Sequence, residues 1–183
     1  MAEISSIQGR RPKVQQFHLA PRPSTLKGKT VALYHNDKIA SYPVMRVIRK
    51  MLEPLGVKEI FEVHSHTPWS KHPESAVQEA LKADVVFTGT CDWGSCTAWV
   101  TDATVRIEKG GKPAVLLSAT AFKEEAFAQA AIEGIPYLPV VVIDYDQSYL
   151  ALIPQQVEKV FDKMVKALTT PAKELEKKIP GEM

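Results

Sequence analysis

The chain is 183 residues long, 45% apolar and 24% charged, with a formal net charge of +2 at pH 7. That describes one ordinary globular domain with a sizeable core, and the dispersed basic residues carry no nucleic-acid signature. No apolar run approaches the roughly 18 residues of a membrane span. The opening MAEISSIQGRRPKVQQ lacks a signal peptide's apolar centre, so the expected compartment is the cytoplasm, where thiols stay reduced.

Residues 1–28 are polar and rich in Pro and Arg (Pro12, Pro21, Pro23; Arg10, Arg11, Arg22) and read as an extended arm, either laid across the domain or a partner subunit or left loose. A single α/β domain is expected over 29–170. TVALYH (30–35) is a short run of β-formers. Val44, Val47, Ile48, Met51, Leu52 and Leu55 then recur three and four apart, one face of an amphipathic helix. Pro43 suits its first turn, Ser41 or Tyr42 lies near its cap, and Gly56 follows its end. KEIFEVH (58–64) reads as a second strand and ESAVQEALKA (74–83) as a second helix. DVVFTGT (84–90) is a third strand, followed by a helix from Cys96 to about residue 109. PAVLLSA (113–119) and AFKEEAFAQAAIEG (121–134) repeat the pattern, and LPVVVID (138–144) is a fifth strand. A last helix carries Val157, Val160, Phe161, Met164, Val165 and Leu168, and the charged tail 171–183 is expected to be solvated.

Strands of continuous apolar character, each followed by a helix, imply a mostly parallel five-stranded sheet covered on both faces, a doubly wound three-layer α/β domain. Ligands of such sheets bind beyond the carboxyl ends of the strands. That rule gathers His35, Asn36, Asp37 and Lys38 after strand one, and His64, His66 and Lys71 after strand two. The turn 89–97 follows strand three, and Thr120 and Phe122 follow strand four.

The turn Gly89–Thr97, GTCDWGSCT, holds both cysteines of the chain, Cys91 and Cys96. A thiol in the first turn of a helix sits beside its partly positive end, which favours thiolate. Gly94 lets the backbone turn sharply, Ser95 is a candidate cap, and Thr97 offers a hydroxyl. Free amides there can hold an anion or a developing oxyanion. Cys91 and Cys96 stand five residues apart across a tight turn, compatible with the roughly 4.4–6.8 Å between Cα atoms that a disulfide needs. Asp92 between them is a candidate proton carrier. Trp93 would wall the pocket, and Lys38 and Lys71 could neutralise a substrate carboxylate from two sides. Asp102 is equally a partner for Arg106 four residues on.

His64 and His66 with the two cysteines would total four zinc ligands, but C-x4-C is marginal and H-x-H falls outside the familiar pairings. A Walker loop, G-x-S-x-G and G-x-G-x-x-G are all absent, which weighs against NTPase, serine hydrolase and dinucleotide enzyme. The site set therefore includes no metal ligand, and no cofactor is expected.

With those residues in view, the chain resembles the UGSC-type selenoprotein-like family, named for a selenocysteine (or cysteine)-Gly-Ser-Cys motif. The resemblance runs from about Pro21 to Asp144. It rests on APRPSTLKGKTVALYHNDK, on ADVVFTGTCDWGSCTAWVTDATVRIEKGGKPAV with Asp102 and Glu108, on the Thr120–Phe122 turn and on AAIEGIPYLPVVV. A more distant likeness runs to the B-type selenoprotein subunits of glycine and proline reductases. The resemblance implies a doubly wound domain with a thiol- or selenol-based redox or nucleophilic site. Gly94, Ser95, Cys96 and Thr97 carry over, and Asn36 and Lys38 match the polar turn after the first strand. Trp93 stands at the family's selenocysteine position, and Cys91 replaces a glycine two positions earlier. Either Cys91 serves as the second thiol, or only Cys96 acts, or the chain has lost the family chemistry.

Three functions follow as expectations. The first is a cysteine-dependent enzyme, a lyase, hydrolase or oxidoreductase, acting on a small polar and anionic substrate, with Cys96 as nucleophile or redox thiol. The second is a non-catalytic subunit supporting a catalytic relative. The third is a metal- or small-ligand-binding protein. A homo- or hetero-oligomer is expected, without membrane or nucleic-acid partners.

Overall fold

The structure, a computed structural model, describes residues 14–144 and 152–178. Five strands form one sheet: β1 (Thr30–His35), β2 (Glu59–His64), β3 (Val85–Cys91), β4 (Ala114–Ala119) and β5 (Val140–Ile143). Their order is β2-β1-β3-β4-β5 and every pairing is parallel. The expected mostly parallel sheet is parallel throughout. The chain runs outward from β1 to one edge and then crosses back to the other side. The carboxyl ends of β1 and β3, adjacent strands, therefore flank the point where the connections part, and a crevice opens there.

Alternation along each strand sends side chains to two cores. Val31, Leu33, Val85, Phe87, Val115, Leu117, Val141 and Ile143 face α1 (Ser41–Leu52) and α5 (Ile153–Thr169). Ala32, Tyr34, Val86 and Ala114 face α2 (Glu74–Ala80) and α3 (Gly94–Lys109) on the opposite side. Leu116 and Val140 complete that side against α3 and α4 (Lys123–Ile132). The central strands are buried on both faces, which is why β3 and β4 read as unbroken apolar runs.

The described part of the arm lies across the body. Phe17 donates its amide to the Gly134 carbonyl (2.9 Å), and Leu19, Ala20 and Leu26 are buried. Gly134 has φ +93°, and a Cβ there would stand 2.3 Å from the Gln15 carbonyl oxygen, so the crossing requires glycine. Residues 1–13 and 179–183, which the sequence assigns to arm and tail, lie outside the described residues. Over 171–178 the tail is mostly exposed, as expected, but it is anchored at one point. A short helix, α6 (Ala172–Leu175), buries Leu175. Glu176 accepts from the Leu19 amide at 2.8 Å, joining the two ends of the chain. No helix of the described residues is long and apolar enough to cross a membrane.

Candidate active site

At the carboxyl end of β3 the strand passes through a cis peptide at Gly89–Thr90 and shifts register against β4 between Gly89 and Cys91. α3 then starts at Gly94, two residues before the expected start, with Trp93 as its cap. Ser95 is exposed and lies within the helix, one residue past its start, so its expected capping role is corrected. The Trp93 carbonyl accepts the first helical hydrogen bond, from the Thr97 amide (2.8 Å), and also the Thr97 hydroxyl (2.7 Å). Thr97 thus folds its hydroxyl into the cap rather than offering it to a ligand. Gly94 keeps a negative φ, so no left-handed turn demands it. A Cβ there would stand 3.7 Å from a Glu125 carboxylate oxygen.

Cys96 occupies the third position of α3 and is fully buried, but its surroundings are polar. The sulfur lies 3.1 Å from Asp92 Oδ1 and 3.1 Å from the Trp93 carbonyl, two acceptors that share its one hydrogen, and 3.9 Å from the Thr90 carbonyl. Burial, and then the negative charge of Asp92, pushes the Cys96 thiol up to about 12. The expectation that the helix terminus makes this thiol a resting thiolate is corrected: desolvation and the neighbouring carboxylate outweigh the terminus. Burial also raises the Asp92 carboxyl, against the opposing pull of its contacts with Cys96 and Thr90 and of the Lys38 charge.

Lys38 comes from the loop after β1 and is nearly buried. Its Nζ lies 3.1 Å from the centre of the Trp69 ring and 5.6 Å from that of Trp93. Both indoles are largely exposed, at 70% and 55%, so Lys38 is flanked by two aromatic plates that face solvent. Asn36, fully buried, ties this loop to β3: its Nδ2 donates to the Thr90 carbonyl at 2.6 Å, and its Oδ1 accepts from the Lys38 amide at 3.3 Å. Asn36, Lys38, Asp92, Trp93 and Cys96 are thereby brought together from two adjacent strand ends.

The other candidates are placed elsewhere. Cys91 is fully buried in the apolar cluster of α3 and α4, and burial, reinforced by the Cys96 charge, raises its thiol far above the ordinary value. Both cysteines are free. Lys71 is exposed and faces Asp102 at 3.8 Å, while Asp102 also pairs with Arg106 at 3.1 Å. Thr120 turns its hydroxyl toward the Ile143 carbonyl (3.5 Å), and Phe122 packs on the Cys91 cluster. His64 and His66 share no ligand group with the cysteines among the described residues; His64 groups with His35 and Glu62 instead.

Sequence reasoning missed Trp69 and Glu125. Trp69 lies in a Pro- and Ser-containing loop with no periodicity to mark it. Glu125 is one of several acids on α4, and only the fold brings it opposite Gly94.

The family described as the UGSC family matches residues 6–170 of this chain. No curated protein matches it. A solved structure titled "Crystal Structure of azoreductase AzrA" is similar over 76% of this chain and 99% of its own, at 12% identity and a TM-score of 0.42.

Proposed function

The chain belongs to the UGSC family, and on that premise we propose that it is a cysteine-dependent enzyme acting on a small, polar, anionic substrate, with Cys96 as the nucleophile. The observation that carries this reading is the thiol–carboxylate contact, Cys96 Sγ to Asp92 Oδ1 at 3.1 Å, at the switch point of the sheet. A thiol that rests protonated needs a base within hydrogen-bond reach, and a carboxylate raised by burial is a better proton acceptor than an exposed one. Sγ attacks an electrophilic carbon of the substrate while its proton passes to Asp92. The negative charge that develops on the substrate meets the free amides at the start of α3. Lys38 neutralises the substrate's anionic group, and Trp93 and Trp69 cover it from water.

A redox version keeps Cys96 as the attacking thiol and uses Cys91 as its partner. The influence of the Cys96 charge on Cys91 supports proximity, but the apolar burial of Cys91 favours the version in which it stays a packing residue. The supporting-subunit reading predicts that Cys96→Ser leaves an assembly's activity nearly intact; the enzyme reading predicts a loss of several orders of magnitude. A cytoplasmic location follows from the reduced state that the thiol requires. The exposed Trp69, Trp93 and Ile39 support an oligomer in which a second chain closes the mouth.

The reading is tested with two alkylating probes of similar size, iodoacetate and iodoacetamide, followed by peptide mass spectrometry on the native chain. Cys96 is expected to react before Cys91, with the anionic probe preferred, and the preference should vanish in Lys38→Gln. Equal rates for the two thiols, or a Cys96 preference for the neutral probe, would refute a Lys38-guided nucleophile.

A further inference from the structure

A second cluster lies on the other side of β1. Its residues are His35, at the end of β1, and Glu62 and His64, near the end of the edge strand β2. Register places His35 directly beside His64, and their rings stack at 4.6 Å with 13° between planes. Glu62 Oε2 lies 3.9 Å from His35 Nε2 and 3.9 Å from His64 Nε2, too far for a hydrogen bond to either. His35 is buried, only 2% exposed, and its Nε2 has no hydrogen-bond partner.

The protonation of each ring follows from what holds its other nitrogen. His64 Nδ1 lies 2.6 Å from Asp37 Oδ1. Asp37 also accepts from the His66 amide at 2.6 Å and from the Tyr42 hydroxyl at 3.0 Å. With Asp37 accepting, His64 Nδ1 carries a hydrogen, and Nε2 is the ring nitrogen turned toward Glu62. His35 Nδ1 faces Ser41 Oγ at 3.4 Å, and that hydroxyl already donates to the Lys38 carbonyl at 2.8 Å. Ser41 Oγ can therefore only accept, and His35 Nε2 presents a lone pair. Arg49 engages the other oxygen of Glu62, with Nε and Nη2 at 3.2 and 3.0 Å from Oε1, leaving Oε2 aimed at the rings.

Three ligand atoms thus lie within 4.8 Å of one another, one of them the unpartnered Nε2 of buried His35. Two neutral imidazoles and one carboxylate are the donor set of an open divalent site. The backing hydrogen bonds, to Asp37 and Ser41 and from Arg49, are the kind of support that orients metal ligands. We propose that His35 Nε2, His64 Nε2 and Glu62 Oε2 bind one borderline divalent transition-metal ion of the zinc type. Glu62 and His64 also line a surface cleft of about 310 Å³, together with His66, Pro73 and Glu79. The thiols take no part, which separates this site from a Cys-His zinc centre.

The test is Co2+ titration of the full chain, followed in the visible and near-ultraviolet, with Zn2+ competition. About one Co2+ per chain should bind, with the visible bands of a four-coordinate ion, without a thiolate-to-metal charge-transfer band, and displaceable by Zn2+. Glu62→Gln and His64→Gln, both on the edge strand, should each abolish the bands, and Asp37→Asn should weaken binding about 10–100-fold. The Cys91→Ser/Cys96→Ser double variant should bind unchanged. Failure of the native chain to bind overturns the proposal, as does binding that survives both ligand variants. Binding lost with the cysteines also overturns it. Circular dichroism of each variant confirms that the fold is kept, and none of these readouts depends on the reactivity of Cys96.

Discussion

At Cys96 two influences oppose each other. The start of α3 favours a thiolate, while burial and the Asp92 carboxylate favour the thiol and prevail, with the thiol raised to about 12. The role of Asp92 can be separated from its charge. Removing the carboxylate as Asp92→Asn abolishes a repulsion and lowers the thiol's pKa, so a bystander carboxylate predicts faster alkylation of Cys96 at pH 7. A carboxylate that takes the proton predicts the reverse, a loss of about 100-fold or more in turnover or probe reaction. The second outcome is expected, read by stopped-flow alkylation with iodoacetate. In the native chain the alkylation rate should keep climbing with pH beyond 9 instead of levelling at the ordinary thiol value of 9.0. A plateau near that value would mean that Asp92 and burial exert no hold on the sulfur.

Helix α3 joins the site at its first turn to a second device at its last. Glu108, buried near its carboxyl end, accepts from the Ala20 amide (2.7 Å), the Ala114 amide (2.7 Å) and Arg22 Nη1 (3.1 Å) and Nη2 (2.6 Å). Arg22 reaches further to the Ala20 and Ala167 carbonyls. One ion pair therefore fastens the arm, β4 and the end of α5 to the helix that presents Cys96. Removing one partner strands a buried charge, so Arg22→Ala should destabilise the chain by about 3–5 kcal/mol, measured by urea unfolding. An Arg22→Met/Glu108→Leu pair should recover much of that loss; if it does not, the clamp's worth lies in its hydrogen bonds to the backbone rather than in charge pairing. None of this was legible in the sequence, because an Arg and a Glu 86 residues apart carry no periodicity. The strands were legible: the unbroken apolar runs of β1, β3 and β4 have no helical reading at their length, and the 3–4 spacing of α1 and α5 is unambiguous. The start of α3 was misplaced by two residues, since no capping side chain marks Trp93 as its boundary. The switch point was legible only as a rule about strand ends, which named Lys38 and the cysteine turn but could not show that Asn36 ties β1 to β3.

Across the molecule, the histidines set how the fold answers to acid. His72 is 1% exposed, stacked on Tyr34 of β1, and accepts or donates at 3.0 Å to the Tyr34 hydroxyl through Nδ1. Burial lowers its pKa from 6.5 to about 4, opposed by Asp102 of α3, reinforced by Arg106 and opposed again by Asp37 of the loop after β1. The unfolded chain therefore binds this proton first as pH falls. The stability that neutral His72 contributes is complete above pH 6.5 and is lost progressively between 6.5 and about 4, about 3 kcal/mol in all. His72→Gln keeps a polar partner for Tyr34 but does not titrate, so its unfolding free energy should fall less steeply across that interval. The comparison is a pair of urea titrations at pH 7 and pH 5, native against variant, with the difference between the two chains largest at pH 7 and shrinking at pH 5. Equal slopes would place the acid sensitivity elsewhere, with His35 the next candidate, since it too is buried and lowered to about 4 by burial and by the neighbouring His64. His72 is distinguishable from them because it lies outside the proposed divalent-ion cluster, so a Zn2+-dependent part of the acid response would belong to the His35–Glu62–His64 cluster and a Zn2+-independent part to His72.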